Sequence, residues 1–137
     1  MFIRTFSSAV FGINAETITN EADVAKGFKF FLVGLPDNAV KESQQRIESA
    51  LRLYGYKWLK HKIIINMAPA DIRKEGSSYD LPIAIAVLPA SEQIKPDRQE
   101  KYVIMGELSP DGTLQPVKGA LPIDIWKNIQ VMVRFGF

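Results

Sequence analysis

The stretch "KIIINMAPADIRKEGSSYDLPIAIAVL", residues 62–88, decides the fold. It opens on "KIIINMA" (62–68), where three consecutive isoleucines suit a strand in a sheet covered on both faces. Pro69 ends that strand, and residues 70–80 are a polar loop. A second apolar run follows. Residues 81–93 read as a helix, with Ser78 or Asp80 as its cap and Pro82 tolerated in the first turn. Pro89 lacks the amide that would reach back four residues, so this helix is expected to kink there or to stop near Leu88.

The rest of the chain alternates in the same way. Residues 9–19 read as strand with a turn near Gly12–Asn14, Asn20–Asp23 as a polar turn, and "GFKFFLVG" (27–34) as a largely buried strand. Then the period changes. Val40, Ser43, Ile47, Ala50, Leu51 and Tyr54 recur at intervals of three and four, which predicts an amphipathic helix. Asp37 is its expected N-cap and Gly55 its left-handed stop. "YVIMGEL" (102–108) reads as a strand, followed by a hairpin turn centred on Asp111–Gly112. "KGALPIDIWKNI" reads as a helix and "QVMVRF" as a last strand or tail. Strands, helix, strand, helix, hairpin and helix make an α+β, or mixed α/β, domain with helices packed on a sheet.

Composition narrows the function. The chain has 137 residues, room for one core. Without cysteine it forms no disulfide, thiol nucleophile or thiolate metal site, and it suits a reducing compartment. Its single histidine, His61, argues against a histidine-rich metal centre. "MFIRTFSSAVFGINAE" lacks the apolar core of a signal peptide, and no apolar run reaches the ~20 residues of a membrane span. A cytoplasmic location is expected. The net charge of +2 does not by itself point to nucleic acid.

Few chemical motifs remain. No GxxxxGK[ST] occurs; "GLPDNAVKES" lacks the second glycine of a phosphate cradle. No G-x-S-x-G elbow occurs either. Asp71, Glu75 and Asp80 share one loop, but the simpler reading caps the helix with Asp80 and pairs Asp71 and Glu75 with Arg73 and Lys74 in solvent. "YGYKWLKHK" interleaves Lys57, Lys60 and Lys62 with Tyr54, Tyr56 and Trp58, a pattern shared by single-strand binders and by ordinary connectors. With Arg73 and Lys74 these lysines are the candidate nucleic-acid contacts.

Three segments, "FFLVGLPDNAVKESQQRIESAL" (30–51), "IINMAPADIRKEGSSYDLPIAIAVLPAS" (64–91) and "MGELSPDGTLQPVKGALPI" (105–123), strongly resemble the N-terminal domain of the ComM/YifB family. These are bacterial AAA+ proteins related to the magnesium-chelatase ATPase subunit. Met67 and Pro110 depart mildly from a pattern that usually has leucine at both places. The resemblance implies a ribosomal-protein-S5-domain-2-like fold, as in the proteolytic domain of Lon, over residues 1–125, with 126–137 a divergent tail. Lon-type proteases use a Ser–Lys dyad, which places Ser78 at the nucleophile position, two residues after Gly76. The dyad lysine would lie five residues after Pro116, where this chain has Leu121; Lys118 lies three positions earlier. A serine needs a base, and leucine is none. The resemblance therefore implies a catalytically degenerate domain, with a Ser78–Lys118 peptidase as the alternative and a stand-alone nucleic-acid-binding or structural domain as another.

The family also implies a following AAA+ module that carries the phosphate loop, ATP and magnesium, hexameric rings, and ATP-driven branch migration of DNA in competence. No cofactor is expected in this chain. The expected partners are the ATPase module, further copies of the domain, and single-stranded or branched DNA, with no membrane. "WKNIQVMVRFGF" (126–137) leaves the family pattern, so a truncated or frame-shifted product lacking the motor is expected.

Overall fold

The computed structural model describes residues 2–11, 14–58, 61–96 and 98–115. Strands β1 (Phe2–Phe11) and β2 (Asn14–Lys26) form an antiparallel hairpin, with Phe11 opposite Asn14. β3 (Phe30–Val33) and β4 (His61–Ala68) complete a sheet of order β1-β2-β4-β3. β4 is antiparallel to β2 and parallel to β3. Between β3 and β4 come α1 (Asn38–Lys41) and α2 (Ser43–Leu53); α3 (Asp80–Ala90) follows β4 and packs on β1 and β2. Beyond it, Val103 bridges to Phe6 on the outer side of β1, and β5 (Glu107–Leu108) pairs with β6 (Leu114–Gln115) in a separate hairpin. This is an α+β architecture.

The first helical segment begins and ends where the side chains direct. Asp37 accepts a hydrogen bond from the Val40 amide at 2.8 Å, the N-cap expected of it. Glu42 interrupts the run, and α2 then buries Ser43, Ile47, Ala50 and Leu51. Gly55 turns left-handed at φ 85°, and the Gly55 and Tyr56 amides bond back to Arg52 and Leu51 at 3.0 and 2.9 Å. That pair of bonds is a Schellman closure, which satisfies carbonyls the helix leaves free.

Helix α3 differs from its expected limits at both ends. It starts at Asp80, behind Tyr79, and no side chain caps it. Its exposed donors are met by tertiary partners instead: the Leu81 amide donates to the Gly106 carbonyl at 3.0 Å. The helix passes through Pro89 and stops at Ala90. Proline removes only the donor for the Ile85 carbonyl, and the Glu92 and Gln93 amides close the last turn on Pro89 and Leu88. All eleven of its residues are buried, as expected for a helix that is apolar all round.

Four expectations about the strands are also corrected. Asn20–Asp23 is not a turn but the middle of β2. Asn20 faces inward with Ile18 and Ala22, and its amide donates to the Ser7 hydroxyl at 3.0 Å. Beneath α3 the sheet is small and polar: Thr5 donates to the Pro82 carbonyl at 2.8 Å. β3 is a short edge strand and is not largely buried; only Phe30 and Leu32 pack toward the core. The sheet is likewise not covered on both faces among the described residues: Ile63, Ile65 and Met67 are buried, while Lys62, Ile64 and Asn66 point the other way. Residues 102–108 form a bridge at Val103 and the two-residue β5, not a continuous strand, whereas the hairpin at Asp111–Gly112 is present. The helix and last strand expected after residue 115 lie outside the described residues.

Candidate functional site

The turn Gly76–Asp80 sits between β4 and α3, with β5 laid against it. Its backbone is clasped by the neighbouring segment: the Gly106 amide donates to the Ser78 carbonyl at 2.8 Å, and the Leu81 amide returns a bond to Gly106. Gly106 suits this close approach, because a Cβ there would press on Leu81 and Leu114 at 3.1 Å. The Ser77 hydroxyl donates to the Glu107 carboxylate. Ser78 is half-buried, and among the described residues its hydroxyl has no hydrogen-bond partner.

Asp80 is the charged centre of this region. It is buried, and its carboxylate accepts from Arg46 Nε at 2.6 Å, from Arg46 Nη2 at 3.0 Å and from the Leu108 amide at 3.0 Å. Arg46 also donates to the Ala39 carbonyl at 2.7 Å, so its guanidinium ties α1, α2 and α3 together, and Asp80 carries the link on to β5. Burial pushes the Asp80 carboxyl above the ordinary aspartate range, while the Arg46 and Leu108 bonds pull the other way. The bond to Asp80 raises the Arg46 pKa further. Asp80 is therefore a cross-link between elements, not the helix cap expected of it. Its carboxylate was legible in the sequence; its partner Arg46, 34 positions earlier, was not.

Lys74 corrects a second expectation. It does not stand in solvent but has a relative exposure of 0 %. Its backbone pairs with the segment after β3: its amide donates to the Leu35 carbonyl at 3.0 Å, and the Asp37 amide donates to its carbonyl at 2.9 Å. The side chain then runs inward, and its ammonium donates to the Pro69 carbonyl. Gly34 makes room, since any Cβ there would collide with the Met67 carbonyl. Burial lowers the Lys74 pKa, opposed by Asp71. An ammonium enclosed in this way does not reach a phosphate.

The other candidate contacts lie apart from it. Arg73 is exposed and pairs with Glu75 at 3.2 Å, as expected. Lys57 is exposed, with its amide and carbonyl held by Gln93 at 2.6 and 2.8 Å. Lys62 projects from the outer sheet face with its ammonium 5.9 Å from the Phe31 ring centroid. Lys60, Lys118 and Leu121 lie outside the described residues, so the expected dyad position does too. Among the described residues no group of three or more histidine or acidic side chains is placed to hold a metal ion. No described helix is long and apolar enough to cross a membrane.

Comparison with known proteins agrees with the motifs of this region. The family described as subunit ChlI of Mg-chelatase matches residues 20–132. YifB of Escherichia coli, an uncharacterized protein, is 47% identical over 114 residues, covering 82% of this chain and 22% of its own length. Competence protein ComM of Haemophilus influenzae is 41% identical over 118 residues, covering 85% of this chain and 23% of its own length. The chain thus spans under a quarter of the length of these relatives.

Proposed function

Because this chain belongs to the Mg-chelatase-related family that includes YifB and ComM, and corresponds to its N-terminal domain, we propose that it is a non-catalytic assembly domain. In this reading it serves an ATP-driven, DNA-processing machine. ATP and magnesium are used by an AAA+ module outside this chain, and the domain's partners are that module and further copies of itself in a hexameric ring.

The observation that carries the reading is the bonding of the serine turn. Ser77 is tied to Glu107, Ser78 is clasped through its carbonyl by Gly106, and Asp80 is locked to Arg46 and Leu108. A nucleophilic serine needs a base within hydrogen-bond reach. The turn's own lysine, Lys74, is turned to the Pro69 carbonyl. These bonds join α2, α3 and β5, and among the described residues they supply no proton acceptor for Ser78. The test is a fluorophosphonate serine probe with an unstructured protein substrate. No labelling and no cleavage are expected; labelling of Ser78 that disappears in Lys118→Ala would establish a peptidase instead.

A second reading has its own support. Lys62 lies over Phe31, and Lys26, Lys29 and Phe28 are exposed on neighbouring positions. Cations among exposed rings are what single-stranded nucleic acid uses. Affinity for oligothymidylate that falls steeply with salt, and is lost in Lys62→Glu, would favour it.

A further inference from the structure

The segment from Phe28 to Leu35 leaves apolar side chains in water. Phe28 is 81% exposed, Phe31 41%, Val33 49% and Leu35 54%. Phe31 and Val33 alternate along β3, so they share one face of it, and Leu35 follows in the bend just past the strand. Ile64 of β4 stands opposite Phe31, half-buried, and continues the apolar surface inward. Asp23 of β2 bounds it beyond Ile64.

Two features mark this surface as built. Leu35 adopts φ 56°, the left-handed region that a leucine rarely occupies. Its carbonyl is held there by the Lys74 amide, which fixes the main chain at this residue. β3 is also the end strand of the sheet, and among the described residues no strand pairs with its outer side. It carries no proline, and the short apolar run lacks the inward charges that usually guard an edge. At the end of β3 nearest Phe30 the exposed charges are the cations Lys29 and Lys62, while the acidic Asp23 lies one strand further in, opposite Ile64.

We propose that the edge and outer face of β3 receive an extended segment of a protein partner, which adds a strand beside Phe30–Val33. Its apolar residues, at alternate positions, cover Phe31 and Val33, and its acidic residues meet Lys29 and Lys62. An open edge supplies main-chain hydrogen bonds and the alternating side chains supply selectivity. Charge complementarity sets the acidic character of the partner. Nucleic acid fits less well, since Val33 and Leu35 offer no ring for a base to stack on. The proposal rests on the reading of the chain as an assembly domain.

The probe is a synthetic nine-residue peptide with valine at alternate positions and glutamate at both ends. It is added to the isotope-labelled 137-residue chain. Binding is expected to protect β3 amides from hydrogen exchange and to shift their resonances. A peptide with the same residues reordered to break the alternation should bind at least tenfold more weakly. Phe31→Lys with Val33→Lys, both at exposed positions, should lower affinity at least tenfold while leaving the urea midpoint unchanged. The assignment is overturned if β3 amides do not respond to millimolar peptide. It is also overturned if they become protected through self-association alone, which would make a second copy the occupant, or if oligothymidylate displaces the peptide. Labelling of Ser78 by the serine probe would overturn the non-catalytic reading and leave the peptide result intact, so the two failures are distinguishable.

Discussion

Replacing Arg46 by methionine keeps the aliphatic stem and removes the cation that holds Asp80. The side chain of Asp80 is 1% exposed and that of Arg46 20%. After the substitution the buried carboxylate keeps only the Leu108 amide. Leaving one partner of a buried pair uncompensated costs about 3–5 kcal/mol. Because Arg46 itself reaches solvent, the low end applies, about 3 kcal/mol at pH 7. That is a large share of the stability of a domain this size. The pH dependence supplies the sharper check. Burial already raises the Asp80 pKa above 3.8 in the fold, and loss of Arg46 raises it further. A carboxyl whose folded pKa is raised favours the fold below its unfolded pKa and loses that contribution as pH rises through the folded one. The variant's deficit is therefore greatest at neutral pH and shrinks on acidification, by about 1.4 kcal/mol per unit of added shift. Urea unfolding followed by far-ultraviolet circular dichroism at pH 7 and 4.5 measures both. Asp80→Asn added to Arg46→Met should recover about 1–2 kcal/mol of the loss at pH 7, because it removes the stranded charge. A variant within 0.5 kcal/mol of wild type at pH 7, or a deficit unchanged at pH 4.5, would refute the cross-link.

Three further substitutions follow from the same region. Lys74→Met removes a buried ammonium whose pKa is lowered below 10.5, so wild type should gain stability relative to the variant as pH rises from neutral toward 10.5; an ion-paired lysine would show the opposite slope in the same urea titrations. Gly34→Ala places a Cβ against the Met67 carbonyl at φ 112°, and should lower stability by more than about 2 kcal/mol in thermal unfolding. Ser77→Ala removes the bond to Glu107 and should cost about 1 kcal/mol by urea unfolding, with reactivity toward the serine probe unchanged.

What was legible in the chain is what local physics controls. The Asp37 cap, the Gly55 stop and the spacing of Ile47, Ala50 and Leu51 fix the helical segment from within, and the hairpin at Asp111–Gly112 is set by its own turn. The ends of α3 were not legible, because Gly106 takes the place of a cap from 25 positions away. Asn20 defeats the sequence because its polarity is also a turn signal, whereas here Thr5, Ser7 and Asn20 lie under α3 and bond to it or to one another. Lys74 was misread for a related reason. A lysine beside arginine and glutamate looks like a solvated loop, and only the pairing of residue 74 with residues 35–37 carries it inside.

The most informative misreading concerns "KIIIN" itself. An unbroken apolar run is the mark of a strand covered on both faces, yet the helices α2 and α3 account only for Ile63 and Ile65. A strand meant to face water on its other side would carry a polar residue at 64, in the alternation usual for a half-covered sheet. Ile64 breaks that alternation, and on the neighbouring strand Phe31, opposite Ile64, and Val33, opposite Asn66, break it again. Burial of such a surface is favourable in proportion to the apolar area removed from water. The departure from a solvated face thus recurs on two strands whose inward residues follow the ordinary pattern. Leu35, exposed in the bend that follows β3, adds one more apolar side chain beside it. A single exposed apolar residue needs no explanation. A row that continues across two strands and past the end of one gives the outer face the chemistry of an interface, and places that interface on the side of the sheet away from the serine turn.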